Sequence, residues 1–132
     1  MKQEMERLAL FILILALTAG IACAKDLEVN KKAGEYDVEI KINRNPPIVG
    51  DNFIEIEIKK SGNPVTDAKV LINYYMPPMP RMAPMNYKTD TKLKKDKYKA
   101  TMNFIMAGPW YIAIIINHEG KISTTKFNID AQ

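Results

Sequence analysis

Cysteine and histidine each occur once in the chain, as Cys23 and His118. Cys23 lies in an N-terminal targeting stretch, so the domain that follows has no disulfide, thiolate nucleophile or zinc–thiolate site. A single histidine without a second cysteine leaves no Ser/His/Asp or Cys/His constellation. The serines, Ser61 and Ser123, fall in or beside predicted turns. No glycine-rich phosphate loop is present, and the expectation is that the protein is not an enzyme. Helical periodicity is missing after the first 24 residues, as is any internal repeat. The net charge of +4 comes from lysines scattered along the chain rather than from a basic stripe interleaved with aromatics. That distribution argues against a nucleic-acid partner. The densest basic run, Lys92 to Lys99, reads as one solvated strand face and its turn.

At 132 residues, 47% apolar and 26% charged, the composition is that of one folded domain rather than a disordered chain. The N-terminus carries Lys2 and Arg7, then an apolar run from Leu8 to Leu17, then small residues to Ala24. Ala22-Cys23-Ala24 fits a signal-peptidase site, and the run is shorter than the ~20 residues of a membrane span. Three fates stay open: cleavage after Ala24, lipid attachment at Cys23, or retention as an anchor. Each places the domain outside the cytoplasm, in the periplasm or on the outer face of the membrane. The expected division is a signal peptide or anchor at 1–24, a linker at 25–35 and a β domain at 36–132.

Strand signals dominate that domain. Residues 36–43 and 53–60 alternate apolar and polar side chains, with Val38, Ile40 and Ile42 on one face and Ile54, Ile56 and Ile58 on the other strand's matching face. Ser61-Gly62-Asn63-Pro64 marks a turn. Ala68 to Tyr75 is apolar on both faces, as an interior strand would be. Asn86 to Leu93 is a weaker, polar candidate. Tyr98, Ala100, Met102, Phe104 and Met106 share a face on the next strand. Trp110 to Ile116 is the most apolar strand, with Trp110 a core anchor. Asn117-His118-Glu119-Gly120 reads as a hairpin loop with His118 a solvated turn residue. In Lys121 to Ile129 the apolar parity changes between Ile122 and Phe127, which predicts a bulge. About seven short strands without helices predict an all-β, immunoglobulin-like sandwich, without the Cys…Trp…Cys of antibody domains.

The most distinctive stretch is Met76-Pro77-Pro78-Met79-Pro80-Arg81-Met82-Ala83-Pro84-Met85, with a methionine at every third position and four of the chain's eight prolines. Met76, Pro77, Met79 and Ala83 each precede a proline, which favours polyproline geometry. Three residues per turn then place the four methionines along one edge. Thioethers are soft, neutral ligands suited to Cu(I). Three residues of polyproline helix advance about 9 Å, so four sulfurs on a straight segment cannot meet at one ion. A bend near Arg81-Met82-Ala83 would allow two or three, with Met79, Met82 and Met85 the first choices. The alternatives are apolar packing against the sandwich edge and a sticky surface for a partner protein. Of Tyr74 and Tyr75, one must point away from the core, where its ring could wall the thioethers.

The strand ending in Met76-Pro-Pro-Met79-Pro, the later Ala107-Gly108-Pro109-Trp110 and the loop Asn117-His118-Glu119-Gly120-Lys121 resemble the YtkA-like/FixH-like family of small extracytoplasmic domains. The resemblance spans roughly Tyr36 to Ile129. It implies an immunoglobulin-like sandwich, export or fusion to envelope machinery, and, for several members, a copper or heavy-metal context. Members often carry a histidine in the methionine loop, where this chain has Arg81. The combined expectation is an exported β-sandwich binding Cu(I) or a similar soft ion through Met76, Met79, Met82 and Met85. The alternative is a non-catalytic interaction module whose loop docks on an envelope or membrane protein.

Overall fold

The computed structural model describes residues 25–132. The expected signal, lipidation and anchor features at 1–24 lie outside the described residues. The described chain forms ten strands: β1 (Leu27–Ala33), β2 (Tyr36–Ile42), β3 (Gly50–Lys60), β4 (Asn63–Pro64), β5 (Lys69–Tyr75), β6 (Asn86–Asp90), β7 (Lys92–Lys94), β8 (Lys97–Phe104), β9 (Gly108–His118) and β10 (Lys121–Ala131). They build an immunoglobulin-like sandwich of two antiparallel sheets. One sheet runs β1-β2-β3-β8-β7 with β4 attached to β3, and the other runs β10-β9-β5-β6.

Period-two patterning decides which side of each strand is buried. Ile40, Ile42, Ile54, Ile56 and Ile58 from the first sheet meet Ile72, Ile112, Ile114 and Ile116 from the second, all with no measurable exposure. β-branched side chains pack well on a pleated surface, which suits an isoleucine-dominated core. Three two-residue hairpin turns have both central residues at positive φ: Ser61-Gly62, Lys95-Asp96 and Glu119-Gly120. This is the type I′ form, whose twist matches that of the flanking strands.

Four sequence expectations differ from the structure. The stretch 25–35, read as a linker, contains β1, which pairs with β2 from Leu27↔Ile42 to Ala33↔Tyr36. Its side chains are mostly polar because it is an edge strand with little core to cover. The polar run after the methionine loop is two strands in different sheets, since the chain crosses over at Thr91, whose hydroxyl donates to Val70 O at 2.8 Å. β10 has no bulge, because its register with β9 is continuous. Ser123 and Thr125 occupy the inward positions and Ile122 points out at 66% exposure. Hydroxyl side chains hold the inward parity that hydrophobicity alone assigned to Ile122. The fourth difference concerns His118, described below.

Candidate functional site

β5 and β6 are hydrogen-bonded neighbours whose last pair is Tyr75↔Asn86, so the methionine stretch is the loop closing their hairpin. The Met76 N–H donates to Met85 O at 3.1 Å, joining the two ends of the loop. At its tip the Met82 N–H donates to Met79 O at 3.3 Å, and Arg81 sits at φ 66°. A four-residue turn with proline second and positive φ third is a type II turn. The chain therefore bends at Pro80-Arg81 and folds back, with Met76 and Met79 on one arm and Met82 and Met85 on the other.

The four methionines differ in burial. Met76 is 5% exposed and belongs to the core, Met79 and Met85 are partly buried against it, and Met82 is 42% exposed at the tip. All four nevertheless line one hollow of about 270 Å³, together with Tyr75, Pro77 and Pro78. Among the two tyrosines that lead into the loop, Tyr74 is buried and Tyr75 turns outward, stacked on Tyr111 with centroids 5.5 Å apart. Tyr75 thus forms a wall of the hollow.

The loop rests on an aromatic floor. Trp110 lies 5.2 Å from Phe104, 6.1 Å from Tyr74 and 6.2 Å from Tyr87, centroid to centroid. Its indole N–H donates to Met106 O at 3.0 Å, which satisfies the polar end of a fully buried ring. Gly108 stands beside it at φ 126°, and a Cβ there would lie 3.1 Å from Met76 Cε. Only glycine suits that backbone and leaves the Met76 side chain room to enter the core. The Ala107-Gly108-Pro109-Trp110 motif therefore seats the methionine loop.

His118 takes no part in this site. It is the last residue of β9 rather than a turn residue, and it is 8% exposed. Its Nε2 lies 2.8 Å from Asp67 Oδ1 and its Nδ1 2.9 Å from the Tyr36 hydroxyl. A carboxylate only accepts, so Nε2–H donates to Asp67, and in the neutral ring Nδ1 accepts the Tyr36 proton. Partner residues so distant in sequence gave no local signal, and a two-residue turn follows where a four-residue one was expected. Register sets the distance from the loop: Tyr111 pairs with Tyr75 at the loop, whereas Asn117 pairs with Lys69. Six strand steps separate them, about 20 Å. Among the described residues, no group of three or more His, Cys, Asp or Glu side chains gathers to hold a metal ion. The sulfur atoms of the loop are all thioethers.

Charge is perturbed elsewhere. Glu35, on the turn between β1 and β2, is held below the usual carboxylate range by its bond to Lys60 and by Lys121. Lys60 is raised in turn by Glu35. Burial pushes the Tyr98 hydroxyl up, while the Ala68 N–H it accepts opposes the shift. That hydroxyl also donates to Val65 O at 2.8 Å, pinning the crossover between the sheets.

Sandwich and loop together define a small β domain presenting a proline-stiffened methionine hairpin at one end. The sequence pattern of the YtkA-like family matches residues 30–114, and the chain belongs to that family. Among solved structures, the soluble domain of PmoD from Methylocystis sp. ATCC 49242 (Rockwell) has a similar fold, with a TM-score of 0.57 at 14% identity over 84% of this chain and 98% of that one. No curated protein matches the chain.

Proposed function

We propose that the protein is an exported, non-catalytic domain that binds Cu(I), or a similarly soft ion, through the methionine loop and serves copper handling in the cell envelope. The observation that supports this reading is that Met76, Met79, Met82 and Met85 all line one hollow formed where the loop bends at Arg81. Soft thioether donors favour Cu(I) and Ag(I) over harder divalent ions. Met79, Met82 and Met85 would supply the ligands, because Met76 is committed to the core. The copper contexts implied for several family members point the same way. When bound, the ion would add a soft Lewis acid at the end of the sandwich, and the loop's own contribution is to hold the sulfurs without a deprotonation step.

The test is a Cu(I) competition titration of the protein against a variant with all four loop methionines changed to leucine. Leucine conserves volume closely enough for the fold to survive. The proposal expects the variant to lose at least about tenfold in affinity, or ~1.4 kcal/mol. Equal affinity in the two proteins would sink it.

A further inference from the structure

Among the described residues seven large hydrophobic side chains are exposed, and five of them lie in the half of the sandwich that carries the methionine loop. Met82 is in the loop itself. Val49 and Ile105 lie in the two connections at the same end, 43–49 before β3 and 105–107 after β8, since Gly50 pairs with Phe104. Tyr111 and Phe53 flank that end on the two outer sheet faces. The other two, Leu93 and Ile122, lie away from it. Scattered exposed apolar residues need no explanation, but a grouping at one end of a domain does.

The backbone beneath these residues is fastened. Fully buried Asn52 donates to Ile48 O at 2.7 Å and Gly50 O at 3.1 Å, and accepts the Ile48 N–H at 3.0 Å. The Val49 N–H donates to Gln132 O, and the Gln132 N–H to Pro47 O. Val49 is held outward by a bonded frame. The charges of this end are also distinctive. Its loops with their adjoining strand ends, 43–51, 76–86 and 104–109, contain Arg44 and Arg81 but no lysine, and Lys25 lies where the chain enters at the same end. Three acids lie at the same end: Asp51, which accepts from Asn103 Nδ2 at 2.7 Å, Asp26 next to Leu27, and Asp130 opposite Pro109.

The chain enters the fold near the same end. β1 starts at Leu27, level with Ile42, the last residue of β2 before the 43–49 connection. Four backbone steps separate Leu27 from Cys23, a reach of at most about 14 Å. The apolar run Leu8 to Leu17 ends ten residues before Leu27.

We infer that, with the N-terminal segment retained or lipidated at Cys23, the methionine-loop end of the domain rests on a lipid bilayer carrying anionic headgroups, held there by that segment. A short tether at one end of a rigid sandwich brings that end to the membrane first. Val49, Met82, Ile105, Phe53 and Tyr111 supply apolar and aromatic contact with the interface, and Arg44 and Arg81 supply guanidinium groups for phosphate. Each basic residue near an anionic surface adds attraction that salt screens. This inference does not rest on metal binding, and it is tested without metal.

The experiment places the full chain in vesicles of phosphatidylglycerol and brominated phosphatidylcholine and reads tryptophan quenching. Ile105→Trp reports on the loop end, and Ile122→Trp reports on the far end. Both positions are exposed, and both variants retain the buried Trp110 as a common background. Ile105→Trp is expected to be quenched roughly twofold or more beyond Ile122→Trp. Equal quenching of the two variants, or quenching of neither, would overturn the inference. A difference that persists unchanged in brominated phosphatidylcholine alone would overturn the role given to Arg44 and Arg81.

Discussion

Truncating two methionines of one loop to alanine should have very unequal consequences for stability. Met76 is 5% exposed, and its methyl reaches Gly108, beside Trp110. Replacing a buried methionine by alanine removes transfer free energy and leaves a cavity, at a cost of about 2–5 kcal/mol. The lower half of that range applies, because the loop above the site can settle into the vacated space. A loss of about 2.5 kcal/mol lowers the melting temperature of a domain near 100 residues by roughly 10–20 °C. Met82 is 42% exposed at the loop tip and touches little that would be missed. Met82→Ala should stay within about 0.5 kcal/mol of the parent. Thermal unfolding followed by far-UV circular dichroism, with no metal present, reads both values. Met76→Leu serves as the volume control and should cost less than about 1.5 kcal/mol. Equal destabilisation by the two alanine variants would refute the division into an anchoring and a free methionine, as would a Met76→Ala protein as stable as the parent.

Three further outcomes follow from the same geometry. His118→Leu removes the partner of the buried Tyr36 hydroxyl, and chemical denaturation should register a loss of about 1–3 kcal/mol while Cu(I) affinity is unchanged. The raised Tyr98 hydroxyl means that the folded state keeps a proton which the unfolded chain gives up near pH 10. Its contribution to stability is therefore complete below pH ~10 and is lost as pH rises through the folded value, so a denaturation series on the alkaline side should fall more steeply than that of Tyr98→Phe. Arg81→Gly relieves a left-handed residue costing about 1–2 kcal/mol and returns about 0.4–1 kcal/mol of chain entropy, so a calorimetric melting temperature slightly above the parent's is expected.

Much of the fold was legible because isoleucine placement in β2 and β3 leaves only one face of each strand free for polar side chains, while β9 is apolar on both faces. The same logic failed where the inward positions are not hydrophobic. Ser123 and Thr125 face the core side of β10, and reading apolar parity there produced a bulge that the continuous register excludes. β1 escaped notice because an edge strand needs backbone partners more than apolar side chains. The methionine loop was legible as a motif, and its bend was expected at Arg81-Met82-Ala83, one residue beyond the Pro80-Arg81 corner. The unequal burial of its methionines was not legible, since it depends on Gly108 and Trp110 arriving from β9. His118 was read from its neighbours Asn117, Glu119 and Gly120, whereas its surroundings are set by Tyr36 and Asp67, 82 and 51 residues away.

The most direct test of the central claim is X-ray absorption at the copper edge on the Cu(I)-loaded protein. A thioether site on this loop predicts a first shell of sulfur only, about two or three scatterers, that disappears when Met79, Met82 and Met85 become leucine. A first shell containing imidazole nitrogen, or a sulfur shell that survives those substitutions, would contradict it.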